Sequence, residues 1–145
     1  MALLLGYRMV RKIVRDHEWL KNKAVEATKE DLPIIDDMID TAKANIDTCV
    51  GLAANQIGES ARIIIVLMKT QFMPLVNPKI IRHSQSTYEA EEACLSHSGT
   101  KKTLRYSSIE VEYRDRNFRK KRQHFNGFVA QVIQHEMDHC EGILI

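Results

Sequence analysis

Apolar residues recur at helical spacing in two parts of the chain. Pro33 suits the first turn of a helix over Asp31–Asn45. The apolar positions of that segment are Ile34, Ile35, Met38, Ile39 and Ala42. Those of the segment Phe128–His139 are Val129, Val132, Ile133 and Met137. The pattern therefore predicts an N-terminal amphipathic helix and a second long helix near residue 139.

Between these helices the hydrophobic pattern is that of strands. Arg62–Met68 is an unbroken β-branched and apolar run, which is typical of a buried strand. Asn77-Pro78 predicts a turn before Lys79–Ile81. The other predicted elements are an alternating strand at Ile109–Arg114, a turn at Asp115–Asn117 and a return strand through Gln123–Phe125. Strands in the middle and helices at both ends favour an α+β fold.

Composition adds limits to this picture. The chain has 145 residues, of which 44% are hydrophobic and 28% are charged, so we expect one soluble globular domain spanning residues 1–145. A net charge of +2 is too small to indicate nucleic-acid or membrane binding. No apolar run approaches the roughly 18 residues that a membrane span needs. Met1–Leu5 is too short for a signal sequence, and the expected location is the cytoplasm.

The sharpest chemical signal is the segment His135-Glu136-Met137-Asp138-His139. Histidines four residues apart lie on the same face of a helix, where both imidazoles can bind one metal ion. Glu136 lies about 100° around the helix and can take a proton from water at that ion. The alternative interpretation is a solvated polar helix face that binds nothing.

A hydrolytic metal site usually has three protein ligands and one open position. Cys140 points about 100° away from the histidine face, which favours a core thiol. Cys94 lies in the short polar segment Glu92–Ser96. Its spacing is compatible with a ligand, but taken alone a cysteine is more often a core residue. Both interpretations stay open on spacing alone.

Two further side chains are candidates for orienting the histidines. A metal-bound histidine usually donates its other ring N–H to an acceptor, and Gln134 and Asp138 lie beside the two histidines in sequence. For Asp138, a solvated helix position is an equal alternative.

The segment Gly51–Gly58 is predicted to be a loop of small residues. Glycine and alanine allow close approach of a backbone, and the Gln56 amide could stabilise a developing oxyanion. Simple packing at a helix-to-strand junction explains the small residues equally well.

Three segments, in this order, resemble the three signature motifs of the peptide deformylase family. They are Cys49–Gln56, Glu92–Ser96 and Gln134–Gly142, and similarity also covers Asn77–Ile80 and Arg105–Val111. The resemblance implies a hydrolase that removes the formyl group from the N-terminal formyl-methionine of nascent polypeptides. It also implies an α+β fold in which antiparallel strands pack around the motif-bearing helix.

The same resemblance implies roles for particular residues. Three side chains would bind a divalent metal, namely Cys94, His135 and His139. The family prefers Fe²⁺, and Zn²⁺, Ni²⁺ or Co²⁺ can substitute. Glu136 would act as general base and then as acid, while Gln56 and the backbone N–H of Leu95 would hold the oxyanion.

The chain departs from the family pattern at several positions. Cys49 and Ala93 each replace a glycine of the family motifs. Gln131 lies near the methionine pocket, at a position where the family usually has an apolar or basic residue. His97–Gly99 replaces an apolar residue followed by proline. These departures leave open a non-catalytic relative that binds metal or formyl-peptide. An HExxH zinc peptidase is a second alternative, although such enzymes normally take their third ligand downstream of the motif.

A cluster of basic residues lies on the predicted hairpin. It consists of Arg114, Arg116, Arg119, Lys120, Lys121 and Arg122. Such a cluster is usually a solvated strand edge that blocks association. The alternative is a transient contact with ribosomal RNA. No pattern in the sequence indicates an oligomeric state.

Overall fold

The computed structural model describes residues 8–145, so the Met1–Leu5 segment lies outside the described part. Within residues 8–145 no helix is long and apolar enough to cross a membrane. The α-helices are α1 (His17–Leu20), α2 (Ile34–Ala44) and α3 (Gly127–Cys140). The strands are β1 (Gly51–Ala53), β2 (Ile63–Met68), β3 (Gln71–His83), β4 (Thr87–Ala93), β5 (Thr100–Tyr106), β6 (Ser108–Arg114) and β7 (Lys120–Asn126).

The strands form two antiparallel sheets. Five strands pair in the order β1-β2-β3-β6-β7, while β4 and β5 form a separate two-stranded sheet. This confirms the predicted α+β class with antiparallel strands. The hairpin between β4 and β5 is where the second motif segment ends.

The β2 strand is buried on both faces because its side chains alternate between two apolar clusters. Ile63 and Ile65 pack in one cluster with residues of α2, including Met38. Ile64 and Val66 pack in the other cluster with residues of α3. These four side chains are fully buried, while the last two residues of β2 are half-buried. The sheet therefore separates α2 from α3, and β2 fixes the position of both helices.

The prediction of a turn at Asn77-Pro78 is wrong. The β3 strand continues through these residues, with a register shift against β6 between Val76 and Lys79. Asn77 takes a positive φ of 51°, and its side chain bonds the backbone N–H and C=O of Ala27 at 2.7 and 3.0 Å. A tertiary contact thus places this turn-favouring pair in a bulge within a strand.

Most other predicted elements are present with shifted ends. A 3₁₀ turn at Lys29–Asp31 precedes α2, which begins three residues later than predicted. The predicted loop at Gly51–Gly58 is instead β1 followed by a 3₁₀ turn at Ala54–Ile57. Neither strand of the β4–β5 hairpin was predicted.

Contacts from the segment 19–24 hold the C-terminal end of α3 in place. The Trp19 indole donates to the Asn55 carbonyl at 2.7 Å, and the Asn55 amide in turn donates to the His139 carbonyl at 3.0 Å. The Ala24 N–H donates to the Cys140 carbonyl at 2.7 Å. Gly142, at φ +75°, lies so close to the Lys21 carbonyl that a β-carbon would not fit. The close approach requires glycine at this position.

Candidate active site

Three side chains that could bind a metal converge between α3 and the loop after β4. The ligand atoms of Cys94, His135 and His139 all lie within 4.8 Å of one another. Cys94 Sγ lies 3.3 Å from His139 Nε2. The two histidines lie one turn apart on α3, as the spacing predicted. The structure therefore brings together all three expected ligands.

A buried chain of charges orients His135. Its Nδ1 lies 2.7 Å from Glu92 Oε1, which leaves Nε2 for the cluster. Arg105 donates to both oxygens of Glu92 at 2.9 and 2.7 Å, and to Asp138 Oδ2 at 2.6 Å. The side chains of Arg105 and Glu92 are each only 5% exposed. Loss of one partner would leave an uncompensated buried charge, so the network holds the imidazole in one orientation.

The acceptor for His135 is thus neither of the two residues considered from sequence. Gln134 instead bonds the backbone N–H and C=O of Tyr106 at 2.8 and 3.0 Å and joins α3 to the end of β5. Asp138 reaches the site only through Arg105. Glu92 lies two residues before Cys94, near the end of a strand that the hydrophobic pattern did not predict, so no pattern in the sequence indicated its role.

The Glu136 carboxyl group lies at the cavity beside this cluster. It is 4% exposed, and its Oε1 has no hydrogen-bond partner among residues 8–145. Burial raises the pKa of Glu136 to about 7, against the opposing charge of His135. A carboxyl group with this pKa can both accept and return a proton near neutral pH.

Gly51 makes room for that carboxyl group. A β-carbon at this position would lie 2.9 Å from Glu136 Oε2 and 2.6 Å from Val132 Cγ1. Both atoms belong to α3, whose position is fixed by its packing against β2. Glycine therefore allows the β1 backbone to pass against the helix face that carries Glu136.

The donor set and its charges fit a bound transition metal. Burial lowers the pKa of His139 to about 3, so this imidazole is neutral and free to act as a ligand. Burial also disfavours a charged His135, but hydrogen bonds with Cys94 and Glu92 outweigh it and raise its pKa to about 10. An ion bound at Nε2 would replace the proton there, while Glu92 would still accept from Nδ1. One sulfur and two imidazole nitrogens suit ions such as iron, zinc, nickel and cobalt.

Gln56 and Leu95 lie at the same cavity. The Gln56 amide donates to Ser96 Oγ at 3.2 Å and to Cys94 Sγ at 3.4 Å, and its oxygen accepts from the Ala53 N–H at 3.0 Å. Leu95 lines the cavity in a turn, and its N–H has no acceptor among the residues described. Both groups therefore present N–H donors next to the cluster.

The two glycine replacements do not disturb this geometry. Cys49 is buried and donates its thiol to the Gly51 carbonyl at 3.3 Å. Burial raises the pKa of Cys49 to about 12, so it stays protonated. Ala93 ends β4 without a positive φ, so an alanine side chain causes no backbone strain there. Cys140 is a buried thiol outside the cluster, in line with its interpretation as a core residue.

The cavity has a volume of about 240 Å³ and runs along α3 from Phe128 to Glu136. Its inner lining includes Glu136 and Gln56, and farther along α3 it includes Gln131. Phe128 and Val50 line its mouth, where their exposed fractions are 61% and 39%. An extended molecule can thus enter from solvent and reach the cluster.

Sequence comparison identifies similar proteins over nearly the whole chain. The family model described as polypeptide deformylase matches residues 10–145. The peptide deformylase of Clostridium beijerinckii is 54% identical over 137 residues, which cover 94% of this chain and 100% of that protein. The peptide deformylase of Dictyoglomus turgidum is 39% identical over 138 residues, covering 94% and 88% of the two chains.

Solved structures give the same result. The class I type b peptide deformylase of Acinetobacter baumannii, with K1U bound, superposes with a TM-score of 0.86 at 31% identity, covering 94% of this chain and 97% of that one. A Met-Ala-Ser-bound structure from that organism has a TM-score of 0.85 at 29% identity and covers 93% and 96%. A peptide deformylase from Legionella pneumophila has a TM-score of 0.85 at 34% identity and covers 93% and 83%.

Proposed function

The chain belongs to the polypeptide deformylase family and removes the formyl group from nascent polypeptides, and we propose that Cys94, His135 and His139 hold the divalent ion that this hydrolysis requires. In the reaction, water adds to the formyl carbon and the carbon–nitrogen bond breaks. Formate leaves, and the peptide amine takes up a proton.

The convergence of three ligand atoms within 4.8 Å carries the proposal for the metal site. When bound, the ion supplies Lewis-acid polarisation of the formyl carbonyl and makes water more acidic. The third donor, Cys94, comes from upstream of the histidine pair, which supports a deformylase site over a zinc peptidase. The unstrained backbone at Ala93 supports an active enzyme over a non-catalytic relative.

The roles of the surrounding residues follow from their positions. Glu136 accepts the proton of the attacking water and returns it to the leaving amine. Gln56 and the Leu95 N–H donate to the oxyanion that develops on the formyl oxygen. Glu92 holds the His135 ring in place through Nδ1.

Replacing Cys94 by alanine is expected to remove most of the bound metal, because two imidazoles alone form an incomplete ligand set. Metal content per chain, measured by elemental analysis after purification without oxygen, tests this. Cys49→Ala and Cys140→Ala are the controls, since both remove a buried thiol outside the cluster. Equal metal content in all three variants would contradict the assignment of Cys94 as a ligand.

We propose that the resident ion is Fe²⁺, with Zn²⁺, Ni²⁺ or Co²⁺ able to substitute, as the family resemblance implies. Unlike Ni²⁺ or Zn²⁺, Fe²⁺ is readily oxidised in air, and its oxidation exposes the thiolate that binds it to damage, so deformylation of formyl-Met-Ala-Ser should decline in air or peroxide. The assay measures formate release by anaerobically purified protein before and after exposure. A nickel-loaded sample serves as the control and should keep its activity. Undiminished turnover after long aerobic exposure, with iron still bound, would argue against a ferrous enzyme.

The proposal places the enzyme in the cytoplasm, where formyl-methionine peptides emerge, and includes a transient ribosome contact. The basic residues of the β6–β7 hairpin are one candidate for that contact, with a solvated strand edge as the alternative. Four of the hairpin's six basic side chains lie within 4.0 Å of carboxylates, namely Arg116, Lys120, Lys121 and Arg122. This pairing reduces the positive charge available to RNA and favours a solvated strand edge.

A further inference from the structure

We infer that Gln131, oriented by Tyr88, selects the first side chain of the substrate by donating a hydrogen bond to it, and that the enzyme therefore accepts formyl-methionine sulfoxide as well as formyl-methionine. The inference rests on the proposed function. It concerns the part of the cavity wall next to the metal cluster where Gln131 lies on α3 near the apolar side chains of Val132 and Phe128.

The course of the cavity determines which part of a substrate meets Gln131. His135 and Glu136 are buried and so mark the inner end, Gln131 and Val132 lie one turn earlier on α3, and the exposed Phe128 lies a further turn towards the mouth. One such step of four residues advances about 6 Å along a helix. The formyl carbon must lie beside Glu136, and the first Cα is two bonds away from that carbon. The first side chain therefore lies alongside the turn that carries Gln131.

Tyr88 fixes the orientation of the Gln131 amide. Its hydroxyl donates to Gln131 Oε1 at 3.0 Å. Burial raises the pKa of Tyr88, so this hydroxyl keeps its proton and remains a donor. Because the amide oxygen is already bonded, Gln131 offers its NH₂ group, which has no acceptor among the residues described. The cavity wall thus presents N–H donors at the level of the first side chain.

The N–H donors of Gln131 distinguish possible first residues of the substrate by how well their side chains accept a hydrogen bond. A methionine thioether is a weak acceptor, a norleucine methylene accepts nothing, and a sulfoxide oxygen is a strong acceptor. A wholly apolar wall would desolvate the sulfoxide oxygen without a partner, at a large cost. Gln131 supplies the partner, while Val132 and Phe128 can still contact the methylenes. The hydrolytic step is unchanged, since the sulfoxide is neither reduced nor oxidised.

The test compares kcat/KM of the nickel-loaded enzyme for three peptides, formyl-Met-Ala-Ser, formyl-norleucyl-Ala-Ser and formyl-methionine-sulfoxide-Ala-Ser. The parent should cleave the sulfoxide peptide within about tenfold of the methionine peptide. Gln131→Leu should lower kcat/KM for the sulfoxide peptide by about tenfold or more, with little change for norleucine. Tyr88→Phe should give a smaller loss of the same kind, because it frees the amide to rotate.

Gln123→Leu is the matched control. It breaks an equivalent pair, since Tyr113 donates to Gln123 Oε1 at 2.8 Å on the β6–β7 hairpin, away from the cavity. Its substrate ratios should equal those of the parent. An equal loss for all three peptides in Gln131→Leu would mean that the amide binds the substrate backbone, which overturns the inference. The inference is also overturned if the parent cleaves the formyl-methionine peptide but not the sulfoxide peptide. If the metal-loaded parent cleaves no peptide, the proposed function itself fails, and the inference fails with it.

Discussion

Replacement of Glu136 by glutamine is expected to leave the metal content near that of the parent while kcat for formyl-methionine peptides falls by about 10² or more. Glutamine has the same shape as glutamate, so it still fits against Gly51, where Glu136 Oε2 lies only 2.9 Å from the place that a β-carbon would occupy. It cannot take up the proton of the attacking water. The measurement pairs steady-state deformylation with elemental analysis of the same sample.

Glu141→Gln is the control for this change. Glu141 directly follows α3 and pairs with Arg62 at 2.6 Å, with its side chain 46% exposed. It undergoes the same loss of charge without access to the cavity, so its kcat should stay near that of the parent. If Glu136→Gln retains near-normal turnover with metal bound, proton transfer by Glu136 is wrong, whatever the family resemblance implies.

Gln56→Leu should also retain metal, with kcat reduced by about 10²–10³ because one oxyanion donor is lost. The substitution removes a second bond, since Gln56 Oε1 accepts from the Ala53 N–H. Thermal unfolding of the variant therefore needs to accompany the kinetics, so that a loss of fold is not mistaken for a loss of catalysis.

Ser96→Ala separates the loss of the oxyanion donor from the loss of a hydrogen bond that positions Gln56. It removes the hydroxyl that accepts from the Gln56 amide at 3.2 Å but leaves the amide donor itself in place. Its kcat should fall much less than that of Gln56→Leu. Unchanged kcat in a folded, metal-loaded Gln56→Leu protein would remove Gln56 from the mechanism.

The histidine pair was predictable because helix geometry alone decides its arrangement. Four residues along α3 bring His135 and His139 to one face, whatever surrounds them. Cys94 was a candidate that spacing alone left undecided, because its position depends on how the β4–β5 hairpin packs on α3. The family resemblance selected it, and the fold places its sulfur beside His139.

The groups that orient the ligands were harder to find. Arg105 and Glu92 lie in two strands with few apolar residues, so neither the strands nor the buried ion pair stood out from the pattern. Leu95 would act through its backbone N–H, and a backbone group leaves no signature in the identity of its residue. Asn77 was misassigned because its contact with Ala27 is tertiary and overrides the local preference for a turn.

The burial of the first four residues of β2 sets how firmly each side of the metal cluster is held. This strand has neighbours on both edges, and helices cover both its faces. Its amides should therefore exchange hydrogen most slowly, and α3 shares that protection through their common cluster. Cys94 instead lies partly exposed in the loop that joins β4 and β5, the two strands of the small sheet. Local opening would thus release the cysteine long before the histidines, which gives an ion a route into and out of the site without global unfolding.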